Sequence, residues 1–170
     1  IGVVIPEIIH FFFSTVISGI EDIAYDAGYS VIVSQSNESY DREIMNVKAL
    51  FNNRVDGMLI SHSRETNDFA HFESIFNRGM PMVFFDRVAD SINCSKVIVD
   101  DFAGSFSAVE HLIKQGCKRI AHLSGPLGLT ISKDRFEGYK AALEKYNLPF
   151  DEALVIRDNA SEDEEASKQL

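Results

Sequence analysis

The sequence predicts a doubly wound α/β fold in which parallel sheet is flanked by helices. Three observations carry that prediction. Helix-like and strand-like apolar patterns alternate along the chain, the arrangement that builds βαβ units. The strand candidates are near-continuous apolar runs, as expected of strands buried on both faces of a parallel sheet. Three of the helical patterns end at a glycine just before the next β-branched run, and glycine takes the left-handed cap at no steric cost.

The elements follow in order. A strand is expected at 1–5 (IGVVI), then a helix whose apolar stripe is Phe13, Val16, Ile17, Ile20, Ala24 and Ala27. Gly28 closes it ahead of a strand at 30–34. Ile44, Val47 and Phe51 mark a second helix before a strand at 57–61. Phe69, Phe72 and Phe76 mark a third, closed by Gly79 before 81–85. After a strand at 97–99, Phe102, Phe106, Val109 and Ile113 lead through Gly116 to a strand at 119–123. Phe136, Tyr139, Leu143 and Tyr146 lead to a last strand at 153–156. The rhythm breaks only at RVADSINCSKVIVDD, a polar connection without a helix, and restarts at Asp101. Two lobes are therefore expected, residues 1–100 and 101–170, the second short of strands. The chain opens inside an apolar run without an initiator Met. It ends on SEDEEASKQL, where Ser161 and Glu164 have the spacing of a capping box, so it reads as an excerpt of a longer protein.

Composition narrows the function. Among 170 residues, 26 acidic against 16 basic side chains leave a formal net charge of −10, which repels phosphate and argues against nucleic-acid binding by this segment alone. No apolar run approaches the roughly 20 residues of a membrane span, so no membrane partner is expected. Cys94 and Cys117 form no disulfide framework and have no metal-ligand spacing. Free thiols fit a reducing cytoplasm. The glycine-rich phosphate and dinucleotide loops, the nucleophile elbow and the zinc-protease motif are all missing. The histidines at 10, 62, 71, 111 and 122 are scattered, with His122 in a strand and His111 on a helix. Asp100 and Asp101 are adjacent on an extended segment, where neighbours point to opposite sides and share an ion poorly. No catalysis, cofactor or metal is expected.

In open α/β sheets ligands bind beyond the carboxyl ends of the strands. That rule selects Glu7 and the aromatic run Phe11–Phe13, then Gln35, Ser36 and Asn37, then Ser61 and His62. It continues with Asp86 and Arg87, Asp100 and Asp101, and Ser124 and Gly125. Such a mixture suits a polar small molecule with apolar faces, such as a sugar or nucleoside. Each position has a plainer alternative. Asp101 serves equally as a helix N-cap, Asp86 and Arg87 can pair with each other, and Arg135 can pair with Asp134 or Glu137. Three adjacent phenylalanines cannot all face one core. Phe13 begins the buried stripe, and Phe12 or Phe11 is left either to stack on a ligand or to pack against a helix elsewhere.

The segments IGVVIPEIIHFFFSTVISGIEDIAYDAGYSVIV, RVDGMLIS, RGMPMVFFDR, VIVDDFAGSFSAVEHLIKQGCKRIAHLSGP and SKDRFEGYKAAL together resemble the effector-binding region of the lactose-repressor (LacI/GalR) family of bacterial transcription regulators. The resemblance spans essentially the whole chain. It implies the two-lobe, type I periplasmic-binding-protein-like fold, with a sugar, sugar phosphate or nucleoside effector held in the cleft between lobes. It implies ligand contacts from Phe12, Phe13, Ser61, Asp86, Arg87, Asp100 and Arg135, the last from the S-x-x-R-x-x-G pattern ending at Gly138. It also implies a homodimeric repressor in the cytoplasm that binds operator DNA through a helix-turn-helix domain outside this chain. Two alternatives stay open: a periplasmic sugar-binding protein of a transporter, and a sugar-modifying enzyme on the same architecture.

Overall fold

The computed structural model describes residues 1–9, 11–126 and 128–157, so the expected helix at Ser161–Glu164 and the position of His10 lie outside the described residues. Two compact units divide the chain, Ile1–Ile98 and Val99–Leu170.

The first unit alternates β1 (Gly2–Ile5), α1 (Phe11–Asp26), β2 (Ile32–Gln35), α2 (Tyr40–Asn52), β3 (Met58–Ile60), α3 (Ala70–Phe76), β4 (Met82–Phe85) and β5 (Ser95–Val97). The strands form one parallel sheet in the order β2-β1-β3-β4-β5. β1 is central, with Val3 opposite Val33 on one side and Leu59 on the other. Because side chains alternate across a strand, Val3 and Ile5 pack under α1 with Phe13, Ile17 and Phe85. Val4, Met58, Ile60 and Phe84 pack on the opposite face with Val47, Leu50 and Phe72 from α2 and α3.

The second unit holds α4 (Asp101–Lys114), β6 (His122–Ser124), α5 (Thr130–Lys145), a single 3-10 turn (Glu152–Leu154) and β7 (Val155–Arg157). β6 and β7 pair in parallel, under a core of Val109, Ile120, Tyr139, Ala142, Leu143 and Val155. The buried Tyr139 hydroxyl donates to the Ile120 carbonyl at 2.9 Å, which satisfies its polar end inside the core. Glu110 of α4 accepts from Lys145 and Tyr146 near the end of α5. With Lys114 these donors hold its carboxyl down at about 2. Parallel sheet flanked by helices is thus the architecture of both units. The alternation legible in the sequence is the alternation of elements, and Gly28, Gly79 and Gly116 stand at φ of 79°, 89° and 94°.

Several local expectations are corrected. The apolar run at 97–99 does not form a buried strand. β5 ends at Val97, and Ile98 and Val99 are exposed past the sheet's edge. Edge position likewise exposes Ile32 and Val33 of β2. The buried stripe of α2 is Glu43, Val47 and Leu50, one residue back from the expected Ile44 and Phe51, with a carboxylate inside it. The last long helix, α5, begins at Thr130, six residues ahead of the first residue of its expected apolar stripe, Phe136. Arg135 therefore stands in the second turn of α5.

Candidate functional site

The carboxyl edge of the first unit's sheet is built on buried polar pairs. After β4, Asp86 takes a left-handed backbone (φ 59°), a region L-residues visit rarely and aspartate more readily than most. Its Oδ2 accepts from the fully buried Ser61 hydroxyl at 3.4 Å, linking the ends of β3 and β4. Arg87 then reaches the loop after β2. Its Nη1 donates to Glu38 Oε1 at 3.0 Å and Oε2 at 2.8 Å, and to the His62 carbonyl at 3.3 Å. Glu38 is itself at φ 60°, following Asn37 at φ 50°, and also accepts from the Arg64 amide at 2.8 Å. Burial works against the charged Glu38 carboxylate. The bonds from Arg87 and the Arg64 amide outweigh it and hold the carboxyl below its ordinary range.

His62 donates Nδ1–H to the Ser63 carbonyl at 2.8 Å and meets the Phe69 ring edge-on. Its burial pushes the imidazole below its ordinary range, opposed in part by that carbonyl. Behind it lies Glu43, fully buried, accepting from the Ser63 amide at 2.6 Å and the Thr66 hydroxyl at 2.7 Å, with His71 Nε2 at 2.9 Å. Glu43 thus fixes the backbone just past Ser61 and His62.

The aromatic run divides as its adjacency requires. Phe11 is almost fully exposed, Phe12 is 50% exposed and Phe13 is 5% exposed. The Phe12 and Phe13 rings meet edge-to-face at 5.1 Å, and Phe13 meets Phe85 at 6.4 Å. Phe13 stands in the core, and Phe12 presents its ring to solvent beside it.

In the second unit a recess of about 400 Å³ is lined by Val99, Asp100, Asp101, Ser105, His122 and Arg135 among others. The two aspartates split their tasks. Asp100, not Asp101, is the N-cap of α4, accepting from the Ala103 amide at 2.8 Å. Asp101 instead accepts from Arg135 Nε at 2.6 Å, so the arginine's partner is neither Asp134 nor Glu137. The neighbouring helices are locked together here. Ser105 donates its hydroxyl to the Arg135 carbonyl at 2.6 Å. A Cβ on Gly138 would collide with the Phe102 carbonyl oxygen, so α4 and α5 touch backbone to backbone. His122 stacks on Tyr139 with ring centroids 5.0 Å apart. Desolvation pushes its imidazole below the ordinary range, and no donor or acceptor among the described residues reaches its buried Nε2.

The structure therefore places Ser61 bonded to Asp86, and Arg87 bonded to Glu38, at the carboxyl edge of the first unit's sheet, with Phe12 and Phe13 at the start of α1 in the same unit. Asp100 and Arg135 share the recess of the other unit. Sequence reasoning passed over Glu38, Glu43 and the pairing role of Asp101. The one available signal was Glu43, whose spacing to Val47 and Leu50 puts a carboxylate on an apolar helix face. Among the described residues no group of three His, Cys, Asp or Glu is placed to hold a metal ion. No helix among them is long and apolar enough to cross a membrane.

The family model described as periplasmic binding proteins and sugar binding domain of the LacI family matches residues 1–168. The ribose operon repressor of Halalkalibacterium halodurans is 35% identical over 148 residues, 87% of this chain and 43% of the relative. The transcription regulator CcpA of Lactococcus lactis superposes with a TM-score of 0.83 at 28% identity, covering 94% of this chain and 58% of that one. A LacI family transcriptional regulator from Enterococcus faecium, solved with bound ribose, gives a TM-score of 0.75 at 31% identity, covering 92% and 55%. The chain thus spans less than half the length of that ribose operon repressor.

Proposed function

Because the chain belongs to the family of periplasmic binding proteins and LacI-type sugar-binding domains, we propose that it senses a small-molecule effector for a transcriptional repressor. The effector is a sugar, sugar phosphate or nucleoside, and it contacts Phe12, Ser61, Asp86, Arg87, Asp100 and Arg135. The observation that carries this reading is made in each unit by itself: polar side chains stand beyond the strand ends of the first and line the recess of the second. Each is held by a partner rather than left free: Ser61 by Asp86, Arg87 by Glu38, Arg135 by Asp101. Preorganised donors and acceptors in each unit, with an exposed aromatic face in the first, suit a hydroxylated ring.

The intact repressor works as a cytoplasmic homodimer that binds operator DNA through a helix-turn-helix domain outside this chain. Effector binding acts by favouring one arrangement of the dimer over another, and its differential affinity sets the size of the response. Two relatives named as a ribose operon repressor and a ribose-bound regulator support a sugar as the first probe.

The test uses the intact protein. Thermal melting is recorded against a panel of pentoses, hexoses, nucleosides and their phosphates. Each stabilising compound is then added to a gel-shift assay with DNA from upstream of the protein's own coding sequence. Stabilisation together with altered DNA binding is expected. Stabilisation with no DNA binding at all would favour a transporter's binding protein, and conversion of the compound would favour an enzyme.

A further inference from the structure

Each unit offers one arginine among the proposed contacts, and both are already bonded to a carboxylate. Arg87 gives Nη1 to both oxygens of Glu38, and Arg135 gives Nε to Asp101. We infer that the effector is a neutral, hydroxyl-rich molecule, and that Asp101 is the residue that turns phosphorylated analogues away. This inference rests on the sensing role proposed above.

The charge balance in the second unit's recess is the first reason. Asp100 and Asp101 contribute two negative charges against the one positive charge of Arg135. His122 adds none at neutral pH, since burial disfavours its charged form. A phosphate monoester would bring about −1.5 to −2 more charge into that space. Its oxygens are mainly acceptors, and the two carboxylates there are acceptors as well. A sugar hydroxyl both donates and accepts, so it can donate to a carboxylate while accepting from the arginine's terminal amino groups.

The second reason is that Asp101 and Arg135 stand on helices locked against each other. Asp101 sits on the first turn of α4, and Arg135 sits on α5. The two helices are tied by the bond from Ser105 to the Arg135 carbonyl and by the backbone contact at Gly138. Asp101 is also only 12% exposed, against 57% for its partner. The guanidinium is the outer member of the pair, held in place by the inner carboxylate. An anion approaching from solvent therefore meets an arginine whose charge is already matched. The first unit repeats the arrangement independently, where Arg87 and Glu38 are both largely buried and Asp86 adds a further carboxylate.

The decisive probe is inorganic phosphate, which needs no knowledge of the effector. In ¹⁵N-labelled intact protein, the Arg135 Nε–H resonance is assigned by its loss in Arg135→Lys. It should stay put as phosphate is raised through the millimolar range, and it should move saturably in Asp101→Asn. Asp101→Ala serves as a second variant should the amide rebuild the bond. Saturable movement in the unaltered protein, or the same indifference in both Asp101 variants, would overturn the inference. Calorimetry with D-ribose and D-ribose 5-phosphate is run in parallel. Ribose should bind at least about tenfold more tightly than its phosphate, with the ratio shrinking in Asp101→Asn. Tighter binding of the phosphate would also overturn it. Heat from neither compound would count against a pentose effector, while the phosphate titration still decides the selectivity.

Discussion

Glu43 Oε1 lies 2.9 Å from His71 Nε2 in the interior of the first unit, and the carboxylate is fully shielded from solvent. The same carboxylate accepts from Ser63 and Thr66, so one helix side chain secures the whole segment leading from β3 to α3. Glu43→Ala would strand three buried donors. A loss of about 3–5 kcal/mol of stability is expected, read from chemical unfolding, with Glu43→Gln costing less because its amide oxygen can still accept. A loss under about 1 kcal/mol would show that these donors find other partners.

Arg135→Lys separates binding from stability. The pair with Asp101 is more than half exposed on the arginine side, so its removal should change stability by less than about 1 kcal/mol. A lysine cannot offer two parallel donors. Effector affinity should therefore fall by roughly 1.5–3 kcal/mol, measured calorimetrically with whichever panel compound binds. Unchanged affinity would take Arg135 out of the site.

Gly138→Ala adds one methyl where α4 and α5 touch. Alanine favours helix over glycine, yet the collision with the Phe102 carbonyl forces the helices apart. The expected net effect is a destabilisation of about 1–3 kcal/mol, with weaker effector binding because Asp101 and Arg135 separate. A gain in melting temperature would mean the helices part freely.

Stability should fall on acidification in two stages. Burial lowers the folded-state affinity of His62 and His122 for protons. The unfolded chain thus binds more protons as pH drops below the ordinary imidazole value of 6.5, and unfolding gains. The Glu38 carboxyl is also held low, so its contribution disappears only as pH falls below its ordinary 4.5. Urea midpoints at about pH 7.5, about pH 5.5 and about pH 4 should decline in order. His62→Gln together with His122→Gln should flatten the first interval.

The intact protein should sediment as a dimer at micromolar concentration. A monomer would count against the repressor reading.

Much of the fold was legible because parallel sheet leaves a local imprint. IGVVI is buried along its length in β1, and the glycines closing α1, α3 and α4 stand just past those helices. What was not legible depends on where an element sits among its neighbours. Val97 to Val99 have the composition of an inner strand but fall at an edge. The start of α5 was hidden because Leu129 caps it without a side-chain bond. Partnerships were hidden by distance along the chain. Glu38 precedes Arg87 by 49 positions, and Asp101 precedes Arg135 by 34. No periodicity links such positions, so the sequence suggested the arginines and Asp101 without pairing them, and left Glu38 out.

The three rings of Phe12, Phe13 and Phe85 form a ladder whose last rung stands one position before Asp86. Any molecule lying on Phe12 would therefore touch a ring whose contacts run through Phe13 to Phe85, the residue before the left-handed Asp86. Stacking and polar recognition then become one coupled event instead of two additive ones. In a double-mutant cycle, Phe12→Leu and Ser61→Ala should lose less effector affinity together than the sum of their separate losses. Phe13→Leu, which thins the middle rung, should bring the two closer to additivity while leaving both outer groups in place.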